Sequence, residues 1–254
     1  MPWIKGLPVQ SAISQQLRAL LASETTDLSD IADLLAHEPV LSAKVLQLAN
    51  SAFLGFSRSS TTIHEGVIRL GAKLVEAIVT MHSVDEVFKH RLPEILHRAL
   101  TDLAFKHAAL SRELAKQSGF TRTEQDQVFS AAIFSAIGRL IVISHKAPDE
   151  QREYNAALLI SAARPIQKGF DDSTIVSVYM LTLWGYDSDL CNIVLWQDTP
   201  SPENNAIEKM SFILFLVKQF LLSSNKDDFD KLIHLIEEPR LSEAFIQMVH
   251  TTYA

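Results

Sequence analysis

The side chains best able to do chemistry in this chain are its nine histidines and thirty carboxylates, so their spacing decides which reactions they could support. No two histidines have the H-E-x-x-H spacing that holds zinc on one helix, and no Cys/His set has zinc-finger spacing. The chain has no G-x-S-x-G nucleophile turn, no Walker phosphate loop and no G-x-G-x-x-G fingerprint. His82, His90 and His97 lie seven or eight residues apart. We interpret these three as surface or partly buried residues, because a helix break at Leu92-Pro93 would keep them off a common face.

Composition limits the partners and the compartment. Cys191 is the single cysteine, which excludes an internal disulfide and is typical of a reducing compartment. The net charge is −7 and Lys and Arg form no cluster, so we expect no nucleic-acid partner. Residues 1–6 lack the basic segment and apolar run of a signal peptide. The apolar run Phe212–Val217 is too short to span a bilayer and predicts a core helix. We expect a cytoplasmic protein that is not attached to a membrane.

Helical signals dominate the sequence. Thr62–Glu65 and Thr121–Glu124 match the capping-box pattern of a helix start, and Asp27–Asp30 is a weaker version of it. Apolar residues then recur at helical spacing, and Pro39 separates two such segments. Two further long helices end near Gly119 and before Pro148. The remaining helices are predicted at roughly 10–23, 72–88, 149–163, 173–184, 188–197, 202–224, 228–237 and 240–251.

The pattern predicts an all-α fold in one domain over residues 1–254. No linker rich in Gly, Ser or Pro divides the chain, and no repeat is detectable. The loop at Leu92-Pro93 favours an N-terminal lobe over about 1–90 and a C-terminal lobe over about 91–254.

Two segments carry a family resemblance. Residues 37–55 read HEPVLSAKVLQLANSAFLG, and residues 62–71 read TIHEGVIRLG. The first resembles D-P-x-L-x-x-x-L-L-x-L-A-N-S-A-x-x-G of the HDOD family, the HD-related output domain of bacterial signalling proteins, with Glu38 in place of Asp. The second resembles the I-x-x-A-I-x-x-L-G segment of that family. Weaker matches extend from about Leu7 to the C-terminus, so the resemblance implies a compact HD-like bundle of many helices.

The first of these segments contains candidate binding residues. Asn50 and Ser51 end an apolar helix, where short polar side chains can satisfy free backbone groups. The alternative is that they contact a ligand or a partner. Arg58 could dock an anionic group, although a solvated surface arginine is the simpler interpretation.

The resemblance also implies a place to look for a metal. The HDOD family is similar to the HD superfamily, whose phosphohydrolases use adjacent His and Asp to hold a divalent metal that activates water. The A-x-L-L-H-D-I-G-K-L segment of the family corresponds to residues 131–140, AAIFSAIGRL. Ser135 therefore stands at the histidine and Ala136 at the aspartate, and neither residue is a good metal ligand. His107 falls at the first metal histidine and is interpreted as a hydrogen-bonded core residue.

Other expected histidines are also replaced. Residues 195–200 read LWQDTP where related sequences often have His-His before Pro, and Ser173 or Thr174 stands at a further histidine. A single surviving histidine does not hold a catalytic metal. We therefore expect no cofactor, no metal and no catalytic residue.

These observations predict a non-catalytic regulatory module of signal transduction. Its partner would be an unidentified protein, with two-component and cyclic-di-nucleotide signalling proteins as candidates, or a small ligand. Two alternatives stay open. One is a degenerate phosphohydrolase that uses His107 with the acids near Asp171 and Asp172. The other is a nucleotide sensor without catalysis. The oligomeric state is also open, with Trp3, Trp184 and Trp196 as possible interface anchors.

Overall fold

A computed structural model describes residues 8–51, 58–151, 172–199, 205–222 and 226–253. Within these ranges the regular structure is helical and contains no strand, which confirms the all-α prediction. The chain divides into two compact units, Lys5–Phe88 and Lys89–Ala254, and each is described by itself.

The Lys5–Phe88 unit has helices in short succession: α1 (Ala12–Leu21), α2 (Leu28–Ala36), α3 (Pro39–Ala49), α4 (Ile63–Leu70) and α5 (Ala72–Phe88). Helix α4 packs against α2 and α3, and α1 packs against α5. The buried residues recur at helical spacing, as with Leu41, Val45 and Ala49 on α3.

The second unit is built around two long helices. Its elements are α6 (Glu94–Gln117), α7 (Arg122–Ser144), α8 (Asp172–Leu183), α9 (Ser188–Leu195), a 3-10 turn (Trp196–Asp198), α10 (Ala206–Leu222), α11 (Lys226–His234) and α12 (Pro239–Tyr253). Helix α7 packs against α6 on one side and α8 on another, and α10 packs against α6. The helix predicted at 149–163 falls largely outside the described residues.

The helix starts follow their capping residues. Reciprocal capping boxes form at Asp27 with Asp30 and at Thr121 with Glu124, as predicted. At α4 only half of the predicted box forms. The Thr62 side chain accepts from the Glu65 N–H, and the Glu65 carboxylate accepts its shortest backbone hydrogen bond from the N–H of Thr61, at 2.7 Å. The glutamate therefore reaches one residue beyond the N-cap.

The most apolar helices form the core of the second unit. All six residues of Phe212–Val217 are buried, which confirms the predicted core helix. Among the described residues, α7 has the length and apolar composition to cross a bilayer, yet 72% of its most apolar window is buried inside the protein. A core helix passes the same test of length and composition.

Helices α7 and α8 approach each other closely at Gly138. A Cβ on Gly138 would overlap the Ser173 carbonyl and lie 2.6 Å from Ser177 Oγ. The Ser177 hydroxyl accepts a hydrogen bond from the Gly138 N–H at 2.9 Å and donates one to the Ser135 carbonyl at 3.1 Å. The absence of a side chain at Gly138 thus allows one hydroxyl to join two helices.

Gly138→Ala should therefore destabilise the fold, by about 2–3 kcal/mol, because the added methyl group cannot be accommodated without separating α7 from α8. Urea unfolding followed by circular dichroism measures the effect. Gly66→Ala is the control, because its Cβ would meet Leu46 Cδ2 at an ordinary 3.4 Å. It should change stability by no more than about 1 kcal/mol. Equal effects at the two glycines would contradict the steric explanation.

Candidate functional site

A small cavity in the Lys89–Ala254 unit collects polar side chains from three helices. Its apolar walls come from α6, α7 and α10: Leu100, Leu103, Ala104, Ala136, Leu221 and Leu222. Its polar groups come from the same helices: His107, Ser135, Arg139 and Lys218. The cavity volume is about 20 Å³, which is room for one water molecule. The structure thus brings together His107, Ser135 and Ala136, the three positions at which related proteins are expected to place metal ligands.

His107 is buried and hydrogen-bonded. Its Nε2 lies 3.0 Å from the carbonyl oxygen of Leu214 on α10. Because a carbonyl only accepts, Nε2 carries the ring proton. Burial is the main cause that lowers the pKa of His107 from 6.5 to about 4; the hydrogen bond to the Leu214 carbonyl opposes it, and the charges of Lys218 and Arg139 add smaller lowering effects. The ring is therefore neutral at neutral pH and is held by the backbone of a neighbouring helix.

Ser135 and Ala136 face the cavity without offering a metal ligand. The Ser135 hydroxyl donates to the Ala132 carbonyl one turn earlier, at 2.8 Å. Ala136 has no side-chain donor or acceptor. The part of α7 that would carry an adjacent His and Asp therefore forms a wall of the cavity with side chains that are poor metal ligands.

A buried carboxylate beside the cavity is already neutralised. Asp198 is 8% exposed and follows α9 in the 3-10 turn. Its Oδ1 accepts from Lys218 Nζ at 2.5 Å, and its Oδ2 accepts from Thr174 Oγ1 at 2.5 Å. Gln197 Nε2 donates to the same threonine oxygen at 3.4 Å. The residues that replace the expected histidines thus form one network closed by a lysine.

Sequence reasoning missed the role of Lys218. The signal was present, because Lys218 is the charge inside the apolar sequence of α10. A buried cation needs a buried anion. The sequence did not show which acidic residue pairs with Lys218, because that depends on how α10 packs against the turn that contains Asp198.

The candidate residues near the end of α3 lie in the other unit. The Asn50 amide donates to the Ser60 carbonyl at 2.9 Å and accepts from the Ser60 N–H at 2.6 Å. Arg69 donates to the Ala49 carbonyl at 3.2 Å. Asn50 therefore joins the end of α3 to the segment before α4, which is a structural role.

Ser51 and Arg58 make fewer contacts. The Ser51 hydroxyl is buried, and no hydrogen-bond partner for it occurs among the described residues. Arg58 is exposed. After the backbone N–H of Thr61, its charge is a minor cause of the lowered pKa of Glu65. Their possible contact with a ligand or a partner stays a prediction, because residues 52–57 between them lie outside the described residues.

The family follows from a comparison with known families. The model of the HDOD domain matches residues 7–200, which is most of the chain. This chain belongs to the HDOD domain family. No curated protein matches it.

Solved structures show that this HDOD chain shares its fold with several proteins. A candidate phosphohydrolase from Shewanella amazonensis SB2B is 23% identical, with a TM-score of 0.65 over 97% of this chain and 93% of that one. An HDOD domain protein of unknown function from Geobacter sulfurreducens is 17% identical, with a TM-score of 0.63 over 96% and 83%. A candidate signal transduction protein from Marinobacter aquaeolei VT8 is 17% identical, with a TM-score of 0.59 over 96% and 57%.

The cavity of this HDOD protein does not fit a divalent metal. Among the residues the structure describes, no three His, Cys, Asp or Glu side chains converge there. Asp172 is exposed in the first turn of α8, and Asp171 lies outside the described residues. A His82, Asp85 and Glu86 group does converge on α5, in the other unit. There Lys44 Nζ lies 3.0 Å from His82 Nδ1 and 3.4 Å from Asp85 Oδ2, so an ammonium group occupies that position.

Burial of His107 predicts a pH dependence. The folded-state pKa of about 4 lies below 6.5, so between these values the unfolded chain binds a proton that the folded chain does not. The contribution of His107 to the free energy of unfolding is therefore constant above pH 6.5, where the ring is neutral in both states. It falls as the pH drops towards 4, because the unfolded chain then gains a proton. The fall in unfolding free energy from pH 7 to about pH 4.5 should be smaller in His107→Gln than in the wild type, by about 2–3 kcal/mol.

Urea unfolding at both pH values measures this difference. The carboxylates contribute to the wild type and to the variant alike, so they drop out of the comparison. His90→Gln is the control because His90 is exposed, and it should leave the wild-type slope in place. An unchanged slope in His107→Gln would show that His107 is not held neutral by the fold.

Proposed function

We propose that this HDOD protein is a non-catalytic regulatory module of signal transduction, which works by binding a partner protein or a small ligand. One observation carries the proposal. The buried carboxylate next to the cavity, Asp198, is paired with the ammonium of Lys218, and Ser135 and Ala136 stand at the two positions where the HD superfamily has its adjacent His and Asp, called the dyad positions below. The cation of this site is therefore a side chain of the protein.

A lysine in this place cannot replace the chemistry of a metal. A divalent metal binds water directly and lowers its pKa, so that hydroxide forms near neutral pH. An ammonium group only donates hydrogen bonds. Lys218 donates to the carboxylate of Asp198, and the Nε2–H of His107 donates to the Leu214 carbonyl. The remaining acceptor of the ring, Nδ1, is a weak base at a pKa of about 4, so it is poorly suited to activate a water molecule for attack on phosphorus.

The structural relatives support a signalling role as well as a hydrolytic one. A candidate signal transduction protein and a candidate phosphohydrolase share this fold at low identity, so the fold does not choose between them. The chemistry of the cavity favours the signalling role. Two-component proteins and cyclic-di-nucleotide signalling proteins, acting in the cytoplasm, are the partners that we propose first.

An exposed apolar strip supports binding to a protein. Ile175, Tyr179 and Leu183 lie four residues apart along α8, and their exposed fractions are 36%, 49% and 60%. Residues at this spacing share a helix face. Trp196 is 42% exposed and Trp184 is half-buried, whereas Trp3 lies outside the described residues. Exposed apolar and aromatic groups of this kind are typical of surfaces that bind other proteins.

The purified protein should hold much less than one Mn, Fe or Zn ion per chain by elemental analysis. It should not hydrolyse bis-p-nitrophenyl phosphate or a cyclic di-nucleotide when Mn²⁺ or Mg²⁺ is added. Ser135→His with Ala136→Asp should still bind no stoichiometric metal, because Asp198 remains paired with Lys218. About one tightly bound ion per chain, whose removal abolishes a hydrolytic activity, would overturn the proposal.

The same samples test the remaining alternatives. A degenerate phosphohydrolase would lose its activity in His107→Ala, since His107 is the surviving histidine of the expected set. A nucleotide sensor would unfold at a higher temperature with one member of a cyclic-nucleotide panel, because a ligand that binds the folded state stabilises it. A nucleotide is far larger than the cavity of about 20 Å³, so the base and sugar would have to lie outside it.

A further inference from the structure

Arg139 places a buried, unsatisfied donor at the cavity. Its Nε is buried and has no hydrogen-bond partner. Other buried or half-buried cations of this unit are paired, Arg112 with Asp126 and Lys218 with Asp198. Within the described part of the chain, no carboxylate forms an ion pair with Arg139. A buried donor without an acceptor is costly, and such a group in a native fold calls for an explanation.

The charge around the cavity is positive. Lys218 and Arg139 both line the cavity beside His107, and their charges help to lower the pKa of its ring. The nearby carboxylate of Asp198 is shared between Lys218 and Thr174. With His107 neutral and Lys218 paired with Asp198, the Nε of the half-buried Arg139 is the donor without a partner among these groups.

The walls of the cavity strengthen any interaction with that charge. Leu100, Leu103, Leu221 and Leu222 exclude water from one side, and electrostatic interactions are stronger where water is excluded. The guanidinium group offers several donors in one plane, which matches two oxygens of a phosphate or carboxylate. The cavity has room for about one water molecule, which is the size of a single phosphate oxygen, so the rest of such an ion would lie at the mouth of the cavity.

We propose that this cavity binds a small oxyanion of the phosphate class through the guanidinium group of Arg139. The oxyanion is either free phosphate or the phosphate of a nucleotide whose remainder lies outside the cavity. The inference rests on the proposed function, since a metal at this position would take the oxyanion as its own ligand.

Isothermal titration of the full chain tests the inference, with inorganic phosphate as the first probe and a cyclic di-nucleotide as the second. Chloride at the same ionic strength corrects for general salt effects. Binding of either probe is expected, and Arg139→Gln should weaken it at least about tenfold, because it removes charged hydrogen bonds. Arg139→Lys keeps the charge but loses the planar donor group, so it should bind with intermediate affinity.

Arg122→Gln is the matched control, because Arg122 is on the same helix and pairs with Asp126 at the surface. It should leave the affinity unchanged. Circular dichroism shows whether each variant is folded. No binding of either probe to the wild type, or equal binding to Arg139→Gln, would overturn the inference. Metal analysis of the same sample shows separately whether the proposed function fails.

Discussion

The ion pair between Asp198 and Lys218 is the constraint on which the rest of this site depends. Burying a carboxylate that is only 8% exposed costs free energy unless an opposite charge pairs with it. Lys218, a residue of α10, supplies that charge. Thr174 on α8 binds the second carboxylate oxygen. Three elements are therefore joined at one point. Removing one partner would leave the other charge buried, which typically costs 3–5 kcal/mol, as an order of magnitude.

The same ion pair is the basis of the proposal that this site performs no metal chemistry. In a metalloenzyme, a site of this kind would leave its carboxylate and imidazoles free for a dissociable cation. Here the cation is built into the chain, His107 is fixed by a backbone carbonyl, and the dyad positions carry Ser135 and Ala136. Packing has nevertheless been kept, because Gly138 still allows α8 to lie against α7 at hydrogen-bonding distance. In this chain the contact between α7 and α8 thus uses backbone groups and a serine hydroxyl.

The Lys5–Phe88 unit shows a similar use of polar side chains for structure. Asn50 makes a reciprocal pair of hydrogen bonds with Ser60, and Lys44 lies between His82 and Asp85. Polar residues in a recognisable sequence motif attract functional explanations. At Asn50, however, the two hydrogen bonds to the Ser60 backbone already explain why the side chain is an amide, which can both donate and accept.

The sequence by itself determined the helical class, the family and most helix boundaries, since these depend on local patterns. The capping pairs Asp27–Asp30 and Thr121–Glu124 and the apolar spacing are readable without coordinates. It also indicated that Ser135 is a poor metal ligand and that the Ala136 side chain cannot be one, because both follow from residue type. Only the tertiary structure decided that Lys218 neutralises Asp198, that Asn50 binds Ser60, and that Arg139 Nε is buried without a partner. Those contacts join residues far apart in the chain or depend on burial, and both are consequences of how whole helices pack.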